Sequence, residues 1–195
     1  MAHAARTPEP PVTYEAYAAL GSDERYELVD GVLYAMAPAP LLDHQAVVGD
    51  LYFQLRSQLE GQPCRPFVAP VDVRLPEAGQ DDAHTLTVLQ PDVFVVCDPA
   101  KLDTRGVRGA PDFVIEVLSP ATAARDHLMK RRAYERAGVR EYWLVHPVDR
   151  LLTLYRRGDA SFGPPVIQEL ADHTPVAALP GVAIAWEPVL RVLTV

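Results

Sequence analysis

Apolar residues recur at two different spacings along the chain, and each spacing predicts one kind of element. Valines and leucines recur every three or four residues over residues 41–59, which predicts the long helix of the protein, ended by Gly61. A shorter helix is predicted over 13–20, with Thr13 as its N-cap. A third helical pattern leads up to Arg140 and is basic over most of its circumference.

Short apolar runs bounded by proline, glycine or polar loops predict the strands. In chain order they cover residues 26–29, 32–36, 67–75, 88–96, 111–120, 141–146, 151–155, 166–170 and 182–186. The first two flank Asp30-Gly31, the strongest short hairpin signal. The alternation of these elements predicts one domain of mixed α/β (α+β) class over residues 13–195, after a proline-rich lead over 1–12 that is expected to be disordered.

A glutamate interrupts the most apolar of these runs. Residues 111–120 form a near-continuous apolar stretch with a proline close to each end, which is typical of a buried strand. Glu116 lies inside it. Because burial of an ionised carboxylate is costly unless the group is paired or binds a metal, Glu116 is predicted to have a partner.

The basic helix that follows offers that partner. At roughly 100° per residue, its few apolar side chains, including Tyr134 as an expected core residue, fall within one arc of about 140°. Lys130 and Asp126 lie inside the same arc, whereas Arg131 and Arg132 point away from it. A lysine on this helix is therefore predicted to face the glutamate in the sheet.

The pairing of the two central runs brings a second carboxylate to Glu116. If residues 99–109 join 88–96 to 111–120 as an antiparallel pair, the register places Asp92 near Glu116. Opposed side chains in such a pair are about 5 Å apart at Cβ, near enough to share one cation. Asp112 is roughly 13 Å from Glu116 along the strand, so it ranks below Asp92 as a member of a site.

Asp92, Glu116 and Lys130 together predict metal-assisted hydrolysis of a phosphodiester. Two carboxylates can hold Mg²⁺, a hard cation that prefers oxygen ligands and keeps several waters for substrate phosphates, with Mn²⁺ as a substitute. The metal lowers the pKa of a bound water and neutralises charge on the phosphate. An ammonium group beside it can orient the attacking water or stabilise the charged phosphate.

Composition limits the partners. With 18 Lys and Arg against 26 Asp and Glu among 195 residues, the formal charge of −8 argues against a protein that coats nucleic acid through bulk charge. Arg131 and Arg132 remain candidates for a local nucleic-acid contact, although a solvated helix face is the commoner reason for such a basic run. No apolar run reaches the ~18 residues of a membrane helix and the start lacks a signal peptide's apolar core, so no membrane partner and a cytoplasmic location are expected. Cys64 and Cys97 are too few for a disulfide framework and are expected to be small core residues.

A set of short motifs spreads over most of the chain. It comprises residues 26–31, His44, Gln90-Pro91-Asp92, the run 111–120, Asp126, Lys130, Tyr134, Gly138-Val139 and residues 141–145. The set resembles the Uma-type restriction endonuclease family of the PD-(D/E)XK nuclease superfamily, from about residue 14 to 186. The resemblance implies a restriction-endonuclease-like core, a mixed β-sheet flanked by helices, that carries a Mg²⁺-dependent DNA-cleaving site.

The resemblance also implies roles for individual residues. Asp92 and Glu116 would be metal ligands, and Glu27 an additional acid from the N-terminal part. It directs attention to His44, which by its sequence alone fits a packed or solvent-facing histidine. The superfamily pattern has a lysine two residues after the second acid, where this chain has Leu118. Lys130 would therefore be the displaced lysine.

Each of these residues also fits a structural role. Glu116 and Lys130 fit a buried ion pair that holds helix to sheet. Asp92 fits a cap at a strand start, Glu27 fits a surface pair with the neighbouring arginine, and Asp126 fits a capping or orienting role.

Three functions therefore stay open. The first is a Mg²⁺-dependent DNA endonuclease, with DNA as partner and a homodimer as a suitable form for cutting both strands. The second is a nucleic-acid-binding module that has lost catalysis, which Leu118 and the acidic net charge favour. The third is another phosphodiesterase or an RNA nuclease, because the predicted site acts on phosphate and not on the sugar.

Overall fold

The computed structural model describes residues 10–21, 25–36, 41–118 and 126–193 of the chain. In chain order its elements are α1 (Tyr14–Ala18), β1 (Tyr26–Val29), β2 (Val32–Ala35), α2 (Leu42–Gln58), β3 (Arg65–Val68), β4 (Val73–Arg74), β5 (Val88–Leu89), β6 (Val93–Val96), a 3-10 turn (Pro99–Lys101), β7 (Leu102–Asp103), β8 (Gly106–Arg108), β9 (Phe113–Val117), a π-helical turn (Asp126–Lys130), α3 (Arg131–Ala137), β10 (Glu141–His146), β11 (Leu151–Arg156), β12 (Val166–Glu169), β13 (His173–Pro175), β14 (Ala183–Ala185) and α4 (Trp186–Arg191).

Two six-stranded sheets and a small hairpin contain these strands. The central sheet has the order β12-β11-β10-β9-β6-β3, the second sheet has the order β2-β1-β5-β4-β8-β7, and β13 pairs with β14. In the central sheet β9 and β10 run parallel, because a crossover that contains α3 connects them, while the other neighbours run antiparallel. The predicted mixed α/β class, with helices flanking a mixed sheet, is confirmed.

The two faces of the central sheet pack against different layers. In β9, Phe113, Ile115 and Val117 belong to a core that also contains α2 and α4. Val114 belongs to a second core, which is shared with α3 and the second sheet. Because side chains alternate along a strand, Glu116 points to the same side as Val114. The sequence of β9 thus directs its one carboxylate toward α3 and the second sheet.

Local signals near the N-terminus were sufficient to place the first elements. The Thr13 hydroxyl accepts a hydrogen bond from the Ala16 N–H at 3.5 Å, as predicted for the cap of α1. Asp30 and Gly31 both have positive φ, 50° and 78°, which is the two-residue turn expected between β1 and β2. The Val12 N–H donates to the Gly31 carbonyl at 2.8 Å. Residues 1–9 of the predicted disordered lead lie outside the described residues.

Two predicted strands are each divided between the sheets. Residues 67–75 contain the end of β3 in the central sheet and β4 in the second sheet, with Pro70 between them. Residues 88–96 divide into β5 and β6, with Pro91 between them. Proline has no N–H for a ladder hydrogen bond, so the chain leaves one sheet at each proline and enters the other. The prediction that each of these two segments forms one continuous strand is wrong.

Several short elements were not predicted from the sequence. The connection predicted over 99–109 contains a 3-10 turn and the hairpin of β7 and β8. Near the C-terminus the pattern predicted β12 and β14 but neither β13 nor α4. None of the described helices has the length and apolar character needed to cross a membrane.

The prediction that the two cysteines are separate small core residues is wrong, because Cys64 and Cys97 form a disulfide. The β3–β6 register pairs Arg65 with Val96, so the next position along brings Cys64 opposite Cys97. Both side chains pack at the margin of the core beneath α2. The pairing of β3 with β6 was not part of the sequence prediction, and without it the spacing of the cysteines gave no reason to join them.

Candidate functional site

The antiparallel pair β6–β9 brings two carboxylates together. Val93 pairs with Ile115, so Asp92 lies opposite Glu116 at the next position, which is the predicted register. The Val117 N–H donates to Asp92 Oδ2 at 2.8 Å, and this bond fixes the Asp92 carboxylate at the end of the ladder.

Lys130 lies between two glutamates from different sheets. Its ammonium Nζ is 3.1 Å from Glu116 Oε1 and 3.0 Å from Glu27 Oε1, and the residue is only 6% exposed. The helical arc therefore gave the correct direction for this lysine. Arg25, the neighbour that Glu27 was expected to pair with in the surface alternative, instead donates to the Gln90 side chain at 2.7 Å.

The second sheet delivers Glu27 to this position. Leu28 of β1 pairs with Val88 of β5, and β1 lies between β2 and β5 in the second sheet. The Gln90 N–H, which follows β5, donates to Glu27 Oε1 at 2.8 Å. A backbone donor leaves no mark in the sequence, so this support for Glu27 could not have been predicted.

Tyr134 completes the surroundings of Glu116. Its hydroxyl donates to Glu116 Oε1 at 2.8 Å. Burial, and then the charges of Glu116 and Glu27, raise the pKa of Tyr134 well above its ordinary value, so the hydroxyl stays a donor. Tyr134 belongs to the motif set, but it was expected to be a core residue without a role in the site. Its position one turn after Lys130, on the same helix face, was the signal that could have identified it.

His44, to which the resemblance directed attention, lies against Asp92. It is in the first turn of α2, and its Nε2 is 3.3 Å from Asp92 Oδ2. Burial lowers the pKa of His44, but the hydrogen bond to Asp92 and the charge of that carboxylate raise it by more, so the net shift is upward. The other ring nitrogen, Nδ1, is buried and finds no hydrogen-bond partner in the part of the chain that the structure describes.

Asp112 has a different position. Its Oδ2 accepts from the Cys97 N–H at 2.7 Å, and its Oδ1 is 3.3 Å from the Arg140 guanidinium. Asp112 therefore closes the opposite end of the β6–β9 pair, which agrees with its lower rank. The side chain of Asp126 lies outside the described part of the chain.

Arg131 and Arg132, the candidates for nucleic-acid contact, differ in how far their side chains contact the rest of the protein. The Arg131 guanidinium lies 5.6 Å from the centre of the Tyr155 ring and 3.9 Å from Glu135. Arg132 is exposed on the next position of α3. Of the pair, Arg132 is the side chain that extends into solvent.

The donor set fits a hard divalent cation held by two carboxylates. No group of three or more His, Cys, Asp or Glu side chains within the described ranges is arranged to hold a metal. Mg²⁺ does not need such a group, because one or two carboxylates with waters and substrate phosphates usually hold it. Both contacts of Asp92 use Oδ2, and none of the described residues forms a hydrogen bond with Oδ1. Asp92 therefore retains an oxygen for a cation beside Glu116.

Comparison with known proteins shows the family of the chain. The model of the Uma2 family, described as "Putative restriction endonuclease", matches residues 11–187. The chain belongs to the Uma2 family. An uncharacterised protein of Synechocystis sp. is 28% identical to this Uma2 protein over 162 residues, which cover 82% of this chain and 81% of the relative.

A solved structure shares the fold of this Uma2 protein. It is a protein of Anabaena variabilis, described as a putative nuclease belonging to DUF820, with a TM-score of 0.74 at 18% identity. The match covers 93% of this chain and 99% of that one. The restriction-endonuclease-like fold that the motifs implied therefore extends over nearly the whole molecule.

Proposed function

We propose that this Uma2 protein is a metal-dependent endonuclease that hydrolyses phosphodiester bonds in DNA. The observation that carries the proposal is a buried lysine between two carboxylates, with a third carboxylate next to one of them in the sheet: Lys130 lies between Glu27 and Glu116, and Asp92 is opposite Glu116. A structural ion pair needs one carboxylate for one lysine. The additional acids give the site negative charge in excess, which a divalent cation would balance.

In this proposal Asp92 and Glu116 hold Mg²⁺, with Mn²⁺ as a substitute. When bound, such an ion supplies a water of lowered pKa and neutralises charge on the phosphate. Lys130 orients the attacking water or donates to a phosphate oxygen as negative charge develops there. Glu27 and Tyr134 hold Lys130 and Glu116 in place, and His44 does the same for Asp92.

Nicking of supercoiled plasmid DNA with Mg²⁺ or Mn²⁺ tests the proposal. We expect the parent protein to nick the plasmid, and Glu116→Gln and Lys130→Met to lower the rate by about 100-fold or more, a loss typical of removing one group that stabilises a transition state. Circular dichroism spectra must show that the variants remain folded.

Glu141→Gln is the matched control. Glu141 is also a buried glutamate of the central sheet, but it accepts from the Trp143 indole at 2.9 Å and the Ala178 N–H at 2.8 Å, away from Asp92. It should nick like the parent. Parent-like nicking by Glu116→Gln, or nicking that needs no divalent cation, would count against the proposal.

A catalytically inactive nucleic-acid-binding module is the second candidate. Leu118, which is 7% exposed, occupies the position at which the superfamily pattern has a lysine, and the chain carries a net charge of −8. This candidate predicts that the parent binds DNA in a mobility-shift assay without nicking it, with or without a divalent cation. Lys130→Met would then weaken folding and leave DNA binding unchanged.

The plasmid assay also addresses the form that acts. A homodimer with two sites would cut both strands in one encounter and produce linear DNA together with nicked circles. A monomer would produce nicked circles first and linear DNA only later. Sedimentation velocity of the protein alone would give the corresponding mass.

A further inference from the structure

A cavity of about 560 Å³ lies between the edge of the central sheet at β3 and strands β7 and β8 of the second sheet. Among the residues that line it are Arg65, Phe67, Asp72, Gln90, Thr104 and Arg105. The volume is within the range of small-molecule sites in proteins, and the lining combines one aromatic ring with charged and polar groups.

The cavity is next to the candidate site. Gln90 lines it and donates its N–H to Glu27 Oε1. Gln90 is two residues before Asp92, so their Cα atoms are at most about 7.6 Å apart. From the other side, the Ala69 N–H donates to the Asp92 carbonyl at 3.1 Å, and the next residue, Pro70, lines the cavity. A strand whose phosphate lies at Asp92 would therefore have a neighbouring base within reach of the cavity.

The walls offer a stacking surface and a cation. Phe67 packs with its ring 5.3 Å from that of Phe94, at an interplanar angle of 20°, and it also lines the cavity. Nucleic bases stack on such rings without regard to sequence. Arg65 is exposed, and its side chain makes no hydrogen bond or ion pair with the described residues. It is therefore available for a backbone phosphate.

Asp72 provides an oriented acceptor. Its Oδ1 accepts from the Tyr17 hydroxyl at 3.0 Å and from the Gln90 side-chain amide at 2.8 Å. Burial, followed by the charge of Asp72, raises the pKa of Tyr17, so this hydroxyl remains a donor. Oδ2 receives no hydrogen bond from any residue that the structure describes. The carboxylate is thus fixed by one oxygen while the other stays available to a ligand in the cavity.

We propose that the cavity receives one unstacked base of the substrate strand, next to the phosphate at Asp92, and that Asp72 Oδ2 accepts a hydrogen bond from an exocyclic amino group of that base. Cytosine, adenine and guanine carry such a group, and thymine does not. The inference rests on the proposed nuclease function and adds to it a preference for the base beside the cut. The substrate is then a single strand, or a duplex from which one base is flipped.

Binding of two labelled oligonucleotides tests the inference. Cytosine and thymine differ at C4, where N4–H₂ donates and O4 accepts, at N3, which accepts in cytosine and donates in thymine, and at C5, where thymine carries a methyl group. The assay is fluorescence anisotropy with fluorescein-labelled dC12 and dT12 in a buffer that contains Ca²⁺, and a gel checks that both oligonucleotides keep their full length. We expect about tenfold tighter binding of dC12 than of dT12. Equal binding of the two, or tighter binding of dT12, overturns the inference.

Asp72→Asn is the decisive variant. The asparagine keeps one oxygen for Tyr17 and Gln90 and replaces Oδ2 with an NH₂ donor, so the preference for dC12 should disappear or reverse toward dT12. If Asp72 only made a structural contact, the variant would bind both oligonucleotides more weakly and to the same extent. That result overturns the inference, and so does retention of the parent preference. Asp159→Asn changes an exposed aspartate outside the cavity and should retain the parent preference.

The oligonucleotide assay is independent of the plasmid assay. A preference that Asp72→Asn reverses, in a protein that does not nick DNA, supports the cavity inference and contradicts the nuclease proposal. A protein that nicks DNA but binds dC12 and dT12 equally supports the nuclease proposal and contradicts the cavity inference.

Discussion

Glu116 and Glu141 are buried glutamates in neighbouring strands, and their partners separate a candidate site from a structural contact. Glu141 is satisfied by two neutral donors, an indole and a backbone N–H, together with the half-exposed Arg156 guanidinium at 3.3 Å. Glu116 faces Lys130 and Tyr134, with Asp92 opposite and Glu27 on the far side of the lysine. A buried charge in a strand therefore does not mark a site by itself. The additional carboxylates are what distinguish the surroundings of Glu116 from those of Glu141.

Replacing the lysine should destabilise the protein strongly. Lys130→Met leaves Glu116 and Glu27 buried without their cation, and the removal of one partner from a buried ion pair lowers the free energy of unfolding by roughly 3 kcal/mol. Urea denaturation measures the change. Arg132→Met replaces an exposed side chain two residues further along, and it should change the free energy of unfolding by less than about 0.5 kcal/mol. Equal stabilities of the two variants would mean that the Lys130 contacts contribute little.

The hydroxyl of Tyr134 contributes separately to the stability of the protein. Tyr134→Phe removes one hydrogen bond to the buried Glu116 carboxylate and should lower the free energy of unfolding by about 1.5 kcal/mol. Tyr52→Phe is the comparison, because the Tyr52 hydroxyl on α2 has no hydrogen bond within the described ranges, and it should change little. A Tyr134→Phe protein as stable as the parent would mean that this hydrogen bond contributes little to stability.

At the scale of elements, short strands of the second sheet depend on one buried arginine. Arg74 of the two-residue strand β4 is fully buried, and its guanidinium is 2.6 Å from Asp82 Oδ2 and 2.7 Å from Asp103 Oδ2. It also lies 5.3 Å from the centre of the Tyr14 ring on α1. Side-chain contacts thus connect β4 to β7, to α1 and to the loop before β5.

This arrangement predicts a pH dependence of stability. The hydrogen bond from Arg74 lowers the pKa of Asp103 below its ordinary 3.8. A carboxyl whose pKa is lower in the folded state stabilises the fold above its ordinary pKa, and this contribution is lost as the pH falls through the folded value. Asp103 is partly exposed, so Asp103→Asn should cost less than about 1 kcal/mol at neutral pH.

Urea denaturation of both proteins at neutral pH and at about pH 3 measures this contribution. The difference between parent and Asp103→Asn should shrink on acidification, because the parent loses the charged carboxylate that the variant never had. A difference that stays constant or grows at low pH would contradict the assignment of the shift to the Arg74 contact.

The elements also show what the sequence could and could not predict. The β6–β9 register followed from treating residues 99–109 as the connection of an antiparallel pair and from a continuous apolar run, so Asp92 was placed correctly opposite Glu116. The divisions at Pro70 and Pro91 were missed because apolar periodicity is the same in both sheets and does not tell which one a run enters. The Cys64–Cys97 disulfide and the contact of Glu27 with Lys130 depend on pairings between distant segments, which no local pattern records.

On the scale of the whole molecule, the site is where the layers meet. Glu27 comes from the second sheet, Asp92 and Glu116 from the central sheet, His44 from α2 and Lys130 from the turn before α3. A cation held by Asp92 and Glu116 would bind the folded protein only, because unfolding separates these elements. Its binding free energy would therefore add to the stability of the entire fold.

Mg²⁺ should accordingly raise the melting temperature of the parent protein. At a Mg²⁺ concentration about ten times the dissociation constant, the gain is about 1.4 kcal/mol, or about 3 to 6 °C for a chain of this size. Differential scanning fluorimetry with and without Mg²⁺ measures it. Glu116→Gln should lose the shift and Glu141→Gln should keep it, because both variants remove a buried carboxylate from the central sheet but only the first removes a proposed ligand. An equal shift in both variants would place the ion elsewhere on the protein, and no shift in the parent would remove the metal from the proposed function.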